Sequence, residues 1–286
     1  MDEEQDSVEE QALVPPEEPS DTTASTSESS EVDDVDAAKR AYASYKQTGD
    51  LVHLQRAIAL FQRAVDTANV PTAYPLGELG HCLNLYYQAR GNPHDLHRAI
   101  AAEQSALQLV PEGHPDRALC LHNLSVSALG TVKDLESAIE MQQDAVELTP
   151  DGHPNFPAYL DNLGGLQEHR FQRFGKLEDL ESAIASRQRA IELTPEDHPD
   201  KAMRLHNLAL SLRSRLERLD DPVDLERAIT IQRRAIELTP EDHPALSVRL
   251  DNLGGLQWLS FQRFEKLEDL ENAFVDQRPH CGQSTQ

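Results

Sequence analysis

The chain has 286 residues and a formal net charge of −24, room for one elongated domain or two compact ones. Nucleic acid is excluded as a natural partner, because binding it relies on clustered cations and no basic patch is present. No apolar run approaches the 18 or more residues of a membrane-spanning helix, so no membrane partner is expected.

The charge is lopsided. Residues 1–38 hold 14 Asp and Glu and no Lys or Arg, which leaves 36 acidic and 26 basic residues for the rest. The first residues, MDEEQDSVEE, lack the positive and apolar regions of a signal peptide. The cysteines Cys82, Cys120 and Cys281 form no CxxC and cannot all pair, which suits a reducing compartment. A cytoplasmic protein is the expectation.

In chain order, residues 1–35 come first: acidic, rich in Ser, Thr and Pro, without a helical stripe. A disordered arm is predicted there. Ser7, Ser25 and Ser30 each have an acidic residue three places on, a pattern suited to an acid-directed kinase. Asp36 to about Lys46 reads as a shortened first helix.

A repeat array follows, predicted to span 36–278 in about six units, the first and last incomplete. DLESAI at 134–139 returns at 179–184, with DLERAI at 224–229, DLHRAI at 95–100, DLVHLQRAI at 50–58 and DLENAF at 269–274. The aspartates opening them, Asp50, Asp95, Asp134, Asp179, Asp224 and Asp269, are spaced 45, 39, 45, 45 and 45. Leu76, Leu121, Leu160, Leu205 and Leu250 repeat the same periods. Only the unit around Leu121 is short, by six residues lost between Asn123 and Asp134. That loss predicts a helix shortened near Gly130 and a dip in the ridge.

Each period holds two helices. Leu205, Leu208, Leu212, Leu216 and Leu219 make one stripe, over about Pro199 to Leu219. Leu225, Ala228, Ile229, Ala235 and Ile236 make the other, over about Pro222 to Leu238, with Asp221 as N-cap. TPEDHP links them at 194–199 and 239–244, with TPDGHP at 149–154 and VPEGHP at 110–115. No strand pattern is present. The fold class is all-α, a solenoid of antiparallel helix pairs. Residues 279–286 abandon the pattern and read as a disordered tail.

These residues resemble the tetratricopeptide repeat, and the resemblance implies a right-handed superhelix. Ala228, Ala235 and Pro240 match its second helix, helix B; Leu160, Leu163 and Gly164, and again Leu250, Leu253 and Gly254, match the L-x-x-L-G of its first helix, helix A. The long unit, the HP before helix A and the NL pair look like kinesin-light-chain repeats, and still more like fungal arrays that precede a caspase-like CHAT domain. The resemblance implies that Gly164 and Gly254 mark a close approach of helices A and B, where Ser125 and Ala209 stand in the neighbouring units. Gly165 and Gly255, opposite Val126 and Leu210, have no such reason. Gln232 stands where helix B tends to carry Tyr or Phe.

The candidate chemistry is thin. His114, His153, His198 and His243 recur once per unit before Pro, too far apart for one metal, and read as turn caps. His280 and Cys281 lack a pocket for nucleophilic work. No phosphate-binding, metalloprotease or serine-hydrolase motif is present. No enzyme, cofactor or metal is expected. The series Asn123, Asn162, Asn207 and Asn252 points about 140° away from the leucine stripe, preceded by His122, Asp161, His206 and Asp251. The resemblance puts helix A on the concave surface, where amides would hold the backbone of an extended peptide. The other reading is that each amide pins the next helix A. His206, expected between Asp161 and Asp251, predicts binding that changes near pH 6–7. Residues 161–181 and 251–271 differ at four positions only: Glu168 for Trp258, His169 for Leu259, Arg170 for Ser260, Gly175 for Glu265. Most read as surface drift, with Trp258 a further binding candidate. A protein-binding scaffold is the expected function; a regulatory arm of a CHAT or nucleotide-binding effector, or a structural spacer, are the alternatives.

Overall fold

The structure is a computed structural model that describes residues 22–129 and 135–264, with side chains from residue 33 onward. Eleven helices follow one another among the described residues, which contain no strand. They alternate as A and B. The A helices are α1 (Thr22–Thr48), α3 (Ala73–Arg90), α5 (Arg117–Leu129), α7 (Phe156–Phe174), α9 (Lys201–Leu219) and α11 (Leu246–Phe264). The B helices are α2 (Leu51–Thr67), α4 (Pro93–Leu109), α6 (Leu135–Glu147), α8 (Leu177–Leu193) and α10 (Pro222–Glu237). Each helix packs on its neighbours in the chain, and A helices of successive hairpins touch, α3 with α5 and α5 with α7. This is the expected solenoid.

The helices start where the sequence supplies a cap. Asp50, Asn92 and Asp221 accept the backbone N–H two residues on, at 2.9, 3.1 and 2.9 Å, which satisfies a donor the helix cannot. Pro93 and Pro222 add a preset φ in the first turn. The matching caps Asp50 and Asn92 correct the first period. His53, not Asp50, stands at the place of Asp95, three residues into its helix, so the first two B helices lie 42 residues apart. The A helices α1, α3 and α7 end on Gly49, Gly91 and Gly175 at φ of 69–72°, where a Cβ would be strained.

The links from B to A are built by the recurrent histidines. Nδ1 of His114, His153, His198 and His243 accepts the backbone N–H two residues on, at 3.1–3.2 Å. Each histidine N–H in turn donates to the carbonyl of the proline three places earlier, Pro111, Pro150, Pro195 or Pro240. The capping role drawn from the sequence is the role they have.

Small residues set the spacing of the stack. Ala57, Ala99, Ala138, Ala183 and Ala228 on the B helices are fully buried, as are Ala64, Ala106, Ala145, Ala190 and Ala235 seven residues on. Opposite them on the A helices lie Ala38, Gly80, Ser125, Gly164 and Ala209, also buried. Leu208, Leu212, Leu216, Leu225, Ile229 and Leu253 then fill one shared core across three helices.

One boundary differs from the sequence reading. α1 begins at Thr22, so residues 22–35, placed in the disordered arm, are helical here. The stretch from 20 to 70 holds no proline, and Asp34 is buried against Arg63 of α2. The helix beginning at Asp36 is therefore not a shortened one. The remainder of the arm, residues 1–21, and the final unit and tail from 265 lie outside the described residues. Gly130, near which the shortened helix was expected to end, lies outside the described residues; the described part of α5 has 13 residues against 19 in α9.

Candidate functional site

One buried position of helix B decides much of what the surface can do. It holds Phe61, Glu103, Gln142, Arg187 and Gln232 in successive hairpins, all nearly or wholly buried. Gln142 reaches across three helices: its Oε1 meets His122 Nδ1 at 3.1 Å and accepts Ser125 Oγ at 2.5 Å, and its amide donates to the Tyr159 carbonyl at 2.9 Å. Gln232 repeats this with His206 Nδ1 at 3.0 Å and the Arg249 carbonyl at 2.7 Å. An aromatic at this place, as Phe61 in the first hairpin, fills space; the glutamine instead closes hydrogen bonds between an A helix, a B helix and the next A helix. Arg187 pairs with Glu168, donates to Ser211, and reaches the Asn207 carbonyl at 3.1 Å.

Gly164 exists for this arginine. A Cβ there would lie 2.8 Å from Arg187 Cγ and 3.0 Å from the Ala183 carbonyl oxygen. Gly80 likewise makes room for Glu103, whose Cγ would be 2.4 Å from an added Cβ. Gly165 meets nothing closer than 3.8 Å, which agrees with its lacking a packing reason.

The residues singled out in the sequence divide into two groups. Asp161, Asn207, His122 and His206 are engaged inward. Asn207 Nδ2 donates to Asp161 Oδ2 at 3.1 Å, tying α9 to α7. The His122 ring lies 4.5 Å from that of Tyr159, and burial pushes its pKa down to about 4. Burial also lowers the pKa of His206, whose Nδ1 belongs to Gln232. The expected titration near pH 6–7 is therefore corrected downward: His206 is not held between two carboxylates, since Asp161 is bonded to Asn207 and Asp251 is exposed. The second group is open or half-open: Asn162, Asn252, Asp251 and Trp258. Asn252 donates to its own Val248 carbonyl at 2.9 Å, and Trp258 lies 5.7 Å from the Phe261 ring. Asn123 is buried.

The contrast between the near-identical blocks is also corrected. Glu168 is buried, accepting from Arg187, from Ser211 at 3.4 Å and from Ser214 at 3.2 Å. Arg170 bridges Glu136 and Asp179 at 2.8 and 2.6 Å. These are not surface drift. Glu168 and Arg170 meet partners on different helices, α8 and α9 for the first and α6 and α8 for the second, while His169 between them is exposed.

A feature missed in the sequence runs four residues ahead of the asparagines. Tyr74, Met203 and Val248 are large apolar side chains exposed by 45%, 42% and 53% at one repeat position, with Leu119 and Ala158 half-buried at the same place between them. Val126, Gly165, Leu210 and Gly255 follow three residues after the asparagines, all half-exposed. On a helix these places share one face. The signal was available as a 45-residue recurrence of apolar residues outside the leucine stripe.

The sequence matches no protein-family model and no curated protein. Solved structures do match. The protein TTC0263 of Thermus thermophilus, a thermophilic TPR protein, aligns over 78% of this chain and 98% of its own at 19% identity and a TM-score of 0.54. The chain has the tetratricopeptide-repeat fold. BtubC (BKLC) of P. vanneervenii aligns over 91% of this chain and 96% of its own, at 18% identity and a TM-score of 0.53. Nearly identical TPR-like repeats from Podosopora anserina, described as kinesin light chain, cover 69% of this chain and 93% of their own, at 17% identity and a TM-score of 0.52. The described helices thus form a helical repeat array. None of the described helices is long and apolar enough to cross a membrane.

Proposed function

We propose that this tetratricopeptide array is a protein-binding scaffold, and that its helix A face receives a segment of a partner chain on the concave side. The observation that carries the reading is the exposure of Tyr74, Met203 and Val248 at one repeat position, on the face that also bears Asn162 and Asn252. Apolar side chains of this size exposed in a row mark surfaces that bind. Asn162 and Asn252 are the amides best placed to take a partner's backbone, Asp251 and Trp258 adjoin them, and Asn207 acts from the same face by holding its shape. His122, Asn123, Asp161 and His206 support the face from beneath.

The test compares the wild-type chain with a Met203→Glu, Val248→Glu double variant as immobilised baits in native lysate, with quantitative mass spectrometry of what is retained. Both positions are exposed, so the fold should survive. Specific partners are expected to be lost from the variant. A retained set that is identical for both baits sinks the groove reading.

A further inference from the structure

The geometry points to a partner segment that is extended, uncharged along its centre, and apolar at every third residue; this rests on the groove reading above. Two observations lead there. The first is spacing. The A helices touch at α3–α5 and α5–α7, and packed helix axes lie roughly 8–10 Å apart. An extended chain in the polyproline II form advances about 3.1 Å per residue and turns once every three residues, so its side chains at i, i+3 and i+6 share one face. One hairpin therefore matches about one such turn lying across it, and the row of Tyr74, Leu119, Ala158, Met203 and Val248 asks for an apolar side chain at each third place.

The second observation is charge. The whole chain carries −24, yet the face over α5, α7 and α9 is without exposed carboxylates at the asparagine position and at the places four before and three after it. Asp161, beside this strip, is turned to Asn207 and Arg187 and buried. Carboxylates reappear toward the two ends, at exposed Asp36 on α1 and at Glu78 on α3, and at exposed Asp251 on α11. An acidic protein that keeps one strip neutral matches a neutral ligand there, because a charge laid on an apolar strip loses its water without gaining a partner. The strip's amides and apolar side chains complement a backbone and apolar side chains, not ions.

The experiment pans a displayed library of random 12-residue peptides on the full-length chain, then measures the best synthetic peptide by fluorescence anisotropy. Selected peptides are expected to share apolar residues at i, i+3 and i+6 with uncharged positions between. Met203→Glu should weaken the peptide about tenfold or more, since it places a charge in the strip. Val223→Glu, at an exposed first-turn position of helix B, should leave it unchanged. Peptides selected without the three-residue period, or with charge at its centre, overturn this inference and leave the groove reading standing if Met203→Glu still weakens them. Peptides indifferent to Met203→Glu, or a library that yields no binder, overturn both.

Discussion

Glu103 shows what one buried carboxyl does to a repeat. It is 1% exposed, accepts from Ser127 at 3.0 Å, and its second oxygen has no partner. Burial pushes its pKa up to about 8. Between about pH 4.5 and 8 the folded chain keeps this proton while the unfolded chain releases it, so stability falls as pH rises through that window. His122 acts in the other direction. Its folded pKa is depressed to about 4, so its contribution is lost as pH falls from about 6.5 to 4. The two oppose one another below pH 6.5, and Glu103 stands clear between 6.5 and 8. Urea titrations at about pH 6.5 and 8 should therefore show the wild type losing stability and Glu103→Gln losing less. Equal losses in both proteins would put the effect elsewhere. At the same scale the asparagines separate: Asn207→Ala, which removes the bond to Asp161, should lower stability by about 1 kcal/mol, while Asn162→Ala and Asn252→Ala should leave the melting temperature nearly unchanged. Thermal melts of the three single variants read this directly.

At the scale of the helix, the arrangement rests on ends and on close approach. Asp221 accepts the Val223 N–H and opens α10; Asp221→Ala should cost about 1 kcal/mol, with faster hydrogen exchange confined to the first turn of that helix. Close approach is harsher. Gly164→Ala sets a methyl against the Ala183 carbonyl oxygen and Arg187, a backbone contact that cannot move aside freely, and should cost about 1–3 kcal/mol as overpacking does. Gly165→Ala, one residue on and with room, is the control; denaturant midpoints that fall equally for the two would refute the distinction. Arg187 itself is a strut between α7, α8 and α9. Arg187→Ala leaves Glu168 buried without its partner, and about 3–5 kcal/mol is expected to be lost. Chemical denaturation of the variant checks the size.

The whole molecule is a one-dimensional stack in which each hairpin buries its faces against the next. The sequence by itself determined the helix pairs, their period and the shortened unit, because 45-residue recurrence and leucine stripes are local and additive. It also placed the caps at Asp221 and at the recurrent histidines, which act within two or three residues of themselves. What it could not decide was which polar residues would face inward. Asn162 and Asn207 occupy one repeat position, yet only Asn207 is bonded to Asp161, since that bond needs an acceptor supplied 46 residues away. Glu168 and Arg170 read as surface until α8 and α6 brought Arg187 and Glu136 to them. His206 read as a titrating group until Gln232 met its ring. Burial and pairing are properties of what packs against a residue, and only the tertiary structure brings those partners, distant along the chain, into reach.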